Sequence, residues 1–180
     1  MAASDLPQQL ILVDRSAGML EAWQRLFQQA PVEVVDGEWS AQDADALVLP
    51  VLSNGSVDRP QRAAAEAALT QQTLRAIDQV VFDAHHGEMT TANVERVPAP
   101  EERWPVLIAA CTRHVRQTCV AADDSGRVFE AALRAAAKHN AQGADTRIES
   151  LLCPALAAET GAYLRVAAGM FVAYETLYGA

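Results

Sequence analysis

The chain has 180 residues, 51% hydrophobic and 21% charged, a balance typical of a globular protein and unlike a disordered one. Its formal net charge is −9 and its basic residues are scattered arginines with one lysine, Lys138, so no patch neutralises a phosphate backbone and no nucleic-acid partner is expected. No apolar run approaches the roughly 18 residues of a membrane helix, and the start carries no cationic leader. Cys111, Cys119 and Cys153 keep no metal-binding spacing. These features predict one domain over residues 1–180, cytoplasmic, with reduced thiols and no membrane partner.

In chain order, LILVD (10–14) reads as a first strand. Ser16 is placed to cap the helix after it, whose apolar positions Leu20, Trp23, Leu26 and Phe27 recur at helical spacing. PVEVV (31–35) and ALVLP (46–50) read as the second and third strands. An alanine-rich helical segment runs from Pro60, suited to a first helical turn, to about Val81. NVERV (93–97) alternates like a half-exposed edge strand, and PVLIAA (105–110) is apolar throughout, like a central one. Ser125 or Asp124 caps a helix bearing Val128, Phe129, Ala132, Leu133 and Ala136 on one face. RIESLLCP (147–154) is a last strand, and the final helix carries Tyr163, Ala167, Met170, Phe171, Tyr174 and Leu177 as its stripe. Strands alternating with helices of this length predict a three-layer α/β/α fold around a mixed, mostly parallel central sheet.

Several segments carry chemically interesting residues, each with an ordinary structural reading beside it. DAHHGE brings Asp83, His85, His86 and Glu88 together as metal-ligand types. Adjacent ligand types in one loop are common by chance, so a surface turn is the preferred reading and no metal is assigned. In CTRH, Cys111 lies near a base, His114, but no third orienting residue is evident; a buried structural thiol is preferred. LVLPVLSNGSVDRP (47–60) is a strand running into a small-residue loop, the place where α/β proteins hold phosphates and nucleotides.

The order of these elements and several short segments resemble the macro domain, the ADP-ribose-binding α/β module, in a divergent bacterial and phage branch. In VVDGEWSAQDADALVLP, Gly37-Glu38 stands where the family carries Gly-Asp, and Asp45-Ala46 leads into the strand as its Asp-Ala does. LPVLSNG falls on the family's Pro-Ala-Asn-Ser-Phe-Gly, keeping Pro50, Ser53 and Gly55. HHGEMTTA resembles the branch's His-Gly-Glu segment. LIAACTRHV resembles its Leu-Ile-Ala-Ala-Pro-Thr, keeping Thr112 with Cys111 in place of proline. LLCPALAAETGAY sits where the family has the glycine-rich phosphate loop Pro-Gly-Leu-Gly-Thr-Gly.

The resemblance implies a ligand cleft formed by Glu38, Trp39, Leu52, Ser53, Asn54, Gly55, Thr112, Ala157, Thr160, Gly161, Ala162 and Tyr163. Within it, the acid of the Gly-Asp pair accepts a hydrogen bond from the adenine amino group, a role that falls to Glu38. The family's ribose-holding asparagine is Leu52 here, and the following glycine pair is replaced by Asp58, Arg59 and Pro60. The phosphate-loop glycines become Ala155 and Ala157, followed by Ala158 and Glu159. Glycine allows backbone N–H groups to approach phosphate oxygens; alanine closes positions that need φ > 0, and Glu159 adds charge of the wrong sign. Arg59 is a compensating phosphate arm or a solvated helix-start residue. Trp39 is core or a base-stacking platform, and Tyr163 stacks on a ribose or starts the core stripe.

The expectation is a non-catalytic binder of ADP-ribose, a related nucleotide or an anionic metabolite, with no catalytic residue and no cofactor assigned. The alternatives are a fold kept for self-association, as a homo-oligomer or interaction module, and macro-type hydrolysis of ADP-ribosyl or phosphate groups.

Overall fold

The fully apolar runs dictate a sheet covered on both faces, and the computed structural model, which describes residues 3–99, 103–117, 122–143, 146–156 and 161–179, has one. The elements are β1 (Gln9–Asp14), α1 (Ala17–Leu26), β2 (Val32–Asp36), β3 (Ala46–Leu52), α2 (Arg59–Ala68), α3 (Gln71–His85), β4 (Val94–Pro98), β5 (Val106–Arg113), α4 (Asp124–Ala141), β6 (Ser150–Pro154) and α5 (Tyr163–Tyr178). The strand order is β2-β1-β6-β3-β5-β4. All neighbours are parallel except β4, which runs antiparallel to β5 at the edge, as the alternation in NVERV predicts.

The two faces divide each strand by its pleat. Leu10, Leu12, Ala46, Val48, Val106, Ile108, Leu151 and Cys153 join one core with Trp23, Phe129, Met170 and Tyr174 from the helices α1, α4 and α5. Ile11, Val13, Leu47, Leu49, Leu107 and Leu152 join the other with Ala65 of α2, Ile77 of α3, Trp39 and Trp104. This is the expected three-layer α/β/α arrangement.

Several local expectations need correction. The helical stretch from Pro60 to Val81 is two helices, because Leu69 leaves the helix and the Thr70 side chain accepts the Thr73 N–H at 3.2 Å as a new N-cap. Ser16 precedes α1 but makes no side-chain cap; its own N–H donates to Asp14 Oδ1 at 2.6 Å. Neither Asp124 nor Ser125 is the N-cap of α4. That position is Asp123, and the buried Ser125 hydroxyl donates to Ala122 O at 2.6 Å. Strand β6 starts only at Ser150, since the Ile148 N–H is bonded to Asn140 Oδ1 and the Glu149 and Ser150 N–H groups to Asp45 Oδ2.

Candidate functional site at the sheet's C-terminal edge

The parallel strands β2, β1, β6, β3 and β5 all end on one edge, where α/β sheets place their ligands. The β3–α2 connection is closed on itself. The Leu52 N–H donates to Ser56 O, Gly55 N–H to Leu52 O, Ser56 N–H to Asn54 Oδ1 and Asp58 N–H to Pro50 O. The Ser53 N–H donates to Arg113 O, Ser53 O accepts from Met89 N–H, and the Ser53 Oγ accepts from Val115 N–H at 3.2 Å. Ser53 is buried and stitches this loop to the end of β5. Gly55 has φ +86, and a Cβ there would lie 3.2 Å from Val81 Cγ2 on α3, so both conformation and space favour glycine.

Beneath this loop lies a buried ion pair that the sequence did not reveal. Asp58 is 3% exposed and Arg113 8%. Asp58 Oδ1 accepts from Arg113 Nη2 at 2.5 Å and from the Arg59 N–H at 2.7 Å; Oδ2 accepts from Arg113 Nε at 3.4 Å and the Thr112 hydroxyl at 3.3 Å. Arg113 Nη1 donates to Gln117 O at 2.7 Å. The carboxylate thus caps α2, fixes Thr112 and holds the arginine that closes β5. Thr112 is accordingly buried and engaged, and Arg59 is exposed on the first turn of α2. The cue for this pair was an arginine closing an otherwise apolar strand; proximity in sequence drew attention to Arg59 instead.

The other half of the edge is built differently. Glu38, half-buried after β2, pairs with Arg15 at 2.9 Å, so an adenine amino group would compete with that arginine for the carboxylate. Burial pushes the Asp14 carboxyl above its ordinary range, against the lowering effect of the Ser16 and Arg15 N–H groups. Trp39 is 2% exposed, packs 5.4 Å from Trp104 and donates its indole N–H to Gln61 Oε1 at 2.7 Å, which makes it a core residue with no ring face toward the edge. Leu156 is buried in the core under α1, α4 and α5.

Tyr163 opens α5 and lies against α1 at Gly18, where a Cβ would stand 2.5 Å from its ring. Around this contact is a cavity of about 410 Å³ lined by Gly18, Glu21, Arg25, Ala162, Tyr163 and Arg165. Gly161, with φ +66, borders it, and α5 begins without a side-chain cap at Ala162. Glu21 and Arg25 line the cavity from α1, and Arg165 pairs with Asp123 at 3.7 Å. Sequence reading took α1 only as a core stripe and so passed over Gly18 and Arg25. Of the expected cleft residues, Ala157 and Thr160, with Ala158 and Glu159, lie outside the described residues, as does Cys119.

The histidine segment is spent in structural pairs. His85 Nε2 is 2.7 Å from Glu95 Oε1 on β4, His86 is the left-handed C-cap of α3, and Glu88 pairs with His114. Among the described residues no group of three or more His, Cys, Asp and Glu is placed to hold a metal ion. Burial pushes the Cys111 thiol up to about 11, so it stays protonated at neutral pH and is a poor nucleophile. No described helix is long and apolar enough to cross a membrane.

No protein-family model matches the sequence, and no curated protein matches it. Solved structures do. The macrodomain of Mycobacterium tuberculosis DarG superposes with a TM-score of 0.62 at 17% identity, over 78% of this chain and 88% of that one. The macrodomain of Thermus aquaticus DarG gives 0.63 at 12% identity, over 95% and 94%. Thermosipho africanus DarTG in complex with ADP-ribose gives 0.56 at 10% identity, over 92% of this chain and 50% of that one. With its six-stranded mixed sheet and helices on both faces, the chain has the macrodomain fold.

Proposed function

We propose that this protein binds ADP-ribose or a related nucleotide at the C-terminal edge of its sheet without turning it over. The observation that carries the reading is the macrodomain fold, together with the fact that one of the similar structures is a complex with ADP-ribose. The cavity beside Tyr163 supports it from the chain's own residues. Arg25 supplies positive charge for a phosphate, and the Tyr163 ring supplies an apolar surface at the cavity's rim.

The non-catalytic part rests on the β3–α2 loop. Leu52 offers no group to position a water, and the neighbouring N–H donors are engaged within the protein. Calorimetry and thermal melting with millimolar ADP-ribose test the binding: heat and a raised melting temperature are expected, and neither would remove the reading. Release of ADP-ribose from a modified acceptor protein, abolished by changes at the edge, would overturn the non-catalytic part. Buried, free Cys111 and Cys153 are consistent with work in a reducing cytoplasm.

The closed β3–α2 loop also favours a second reading, in which the fold is retained for self-association or protein contact. Phe82 at 65% exposed and Val172 at 63% are large apolar side chains available for it. Sedimentation at micromolar concentration separates the two readings, since a monomer that binds nucleotide excludes the second.

A further inference from the structure

Helix α5 is apolar on two sides. Val166, Ala167, Met170, Ala173, Tyr174 and Leu177 join the core it shares with α1 and α4. The other side of a surface helix is ordinarily polar. On α5 it carries Leu164, 50% exposed, Ala168, and Val172, 63% exposed, four residues apart along one line. Ala168 and Val172 also line a groove of about 420 Å³ between α4 and α5, where Gly126 and Gly169 bring the two backbones together.

The charges on this face suit a second copy of the same face. Arg165 and Glu175, both exposed, stand five residues before and five after Met170, so each lies ~7.5 Å from the middle of the face along the helix axis. At ~100° per residue they fall on opposite sides of the face's midline. A half-turn about an axis through that middle therefore carries Arg165 to a place opposite Glu175, and Ala168 to a place opposite Val172. Within one chain Arg165 pairs with Asp123 at 3.7 Å, a solvated contact that does not hold it against another carboxylate.

We infer that the protein forms a symmetric dimer through α5, the helix packing antiparallel on α5 of a second copy. Ala168 faces Val172 of the partner subunit, small against large, and Arg165 faces Glu175 of the partner subunit; each pair occurs twice. Burial of Leu164 and Val172 supplies the affinity. The ion pairs set the direction, since a parallel pairing would bring Arg165 against Arg165 of the partner subunit and Glu175 against Glu175 of the partner subunit. The dimer gives the self-association reading a definite surface and does not depend on nucleotide binding.

The test is sedimentation velocity of the unaltered chain without nucleotide, from low micromolar to several hundred micromolar. A concentration-dependent dimer is the expected result. Val172→Glu, Arg165→Glu and Glu175→Arg should each weaken it at least tenfold, and Arg165→Glu combined with Glu175→Arg should restore the parent dissociation constant within threefold. Mixing the two single charge variants should likewise yield a dimer. A monomer at every concentration overturns the inference. A dimer as tight in the single variants as in the parent also overturns it, by placing self-association on another face. A double charge variant no tighter than the singles overturns the antiparallel pairing.

Discussion

At the β3 end of the sheet's C-terminal edge, the loop donors point into the protein, an acid and an arginine are buried together, and Gly55 fits tightly against α3. At the β6 end, α5 starts without a side-chain cap beside a cavity, and its cations are exposed arginines. Both ends follow parallel strands of one sheet. Where a carboxylate supplies the acceptor for a helix N-terminus and a guanidinium, the loop is complete without a ligand. Where exposed arginines line a cavity, one of them paired with Asp123 at 3.7 Å, an anion competes only with a solvated carboxylate.

The sharpest way to break this contrast is to remove Asp58. Asp58→Ala leaves Arg113 buried without its carboxylate and α2 without its N-cap, and is expected to destabilise the protein by about 3–5 kcal/mol in urea unfolding. Arg25→Ala, at the open end, should fall within about 0.5 kcal/mol of the parent. Equal effects at the two positions would show that the halves are not distinct. Gly18→Ala comes next, because the new Cβ meets the Tyr163 ring. A loss of about 1–3 kcal/mol is expected, and the same change in a Tyr163→Ala background should be nearly silent if that contact is the cause.

Gly55→Ala should cost about 1–2 kcal/mol through its positive φ, with the Val81 contact adding to it. The smallest effect belongs to Asp14, whose carboxyl holds its proton more tightly in the folded chain than in the unfolded one. Its favourable contribution is therefore full below its ordinary value of 3.8 and is lost as pH rises through the folded value. Asp14→Asn should raise the melting temperature slightly at pH 7 and leave it unchanged at pH 3. A lower melting temperature at pH 7 would mean that the charged carboxylate is stabilising.

The sequence made the scaffold legible because burial on both faces leaves a plain mark. ALVLP and PVLIAA have no polar face to offer, so they read as central strands, while the alternation in NVERV read as an edge. The break at Thr70 left no such mark, since alanine-rich stretches continue the helical pattern and only a threonine side chain decides the boundary. At the site, Ser53, Gly55 and Thr112 were found on the expected edge, yet their engagement within the protein was not foreseeable. Asp58 and Arg113 are 55 positions apart, and nothing local announces that they meet. Glu38 is also tied up, by an arginine on the preceding strand's end, a contact that depends on the order β2-β1. Linear motifs located the loops; a pairing across strands closed the one after β3.

The most direct measurement is an amide chemical-shift map of the labelled protein titrated with ADP. Perturbations are expected at Gly18, Arg25, Glu38, Ala162 and Tyr163, with Ser53 to Asp58 and Arg113 unmoved. Perturbations centred on Ser53 to Asp58, or none at any of these positions at millimolar ADP, would contradict a ligand site beside Tyr163 with the β3–α2 loop closed.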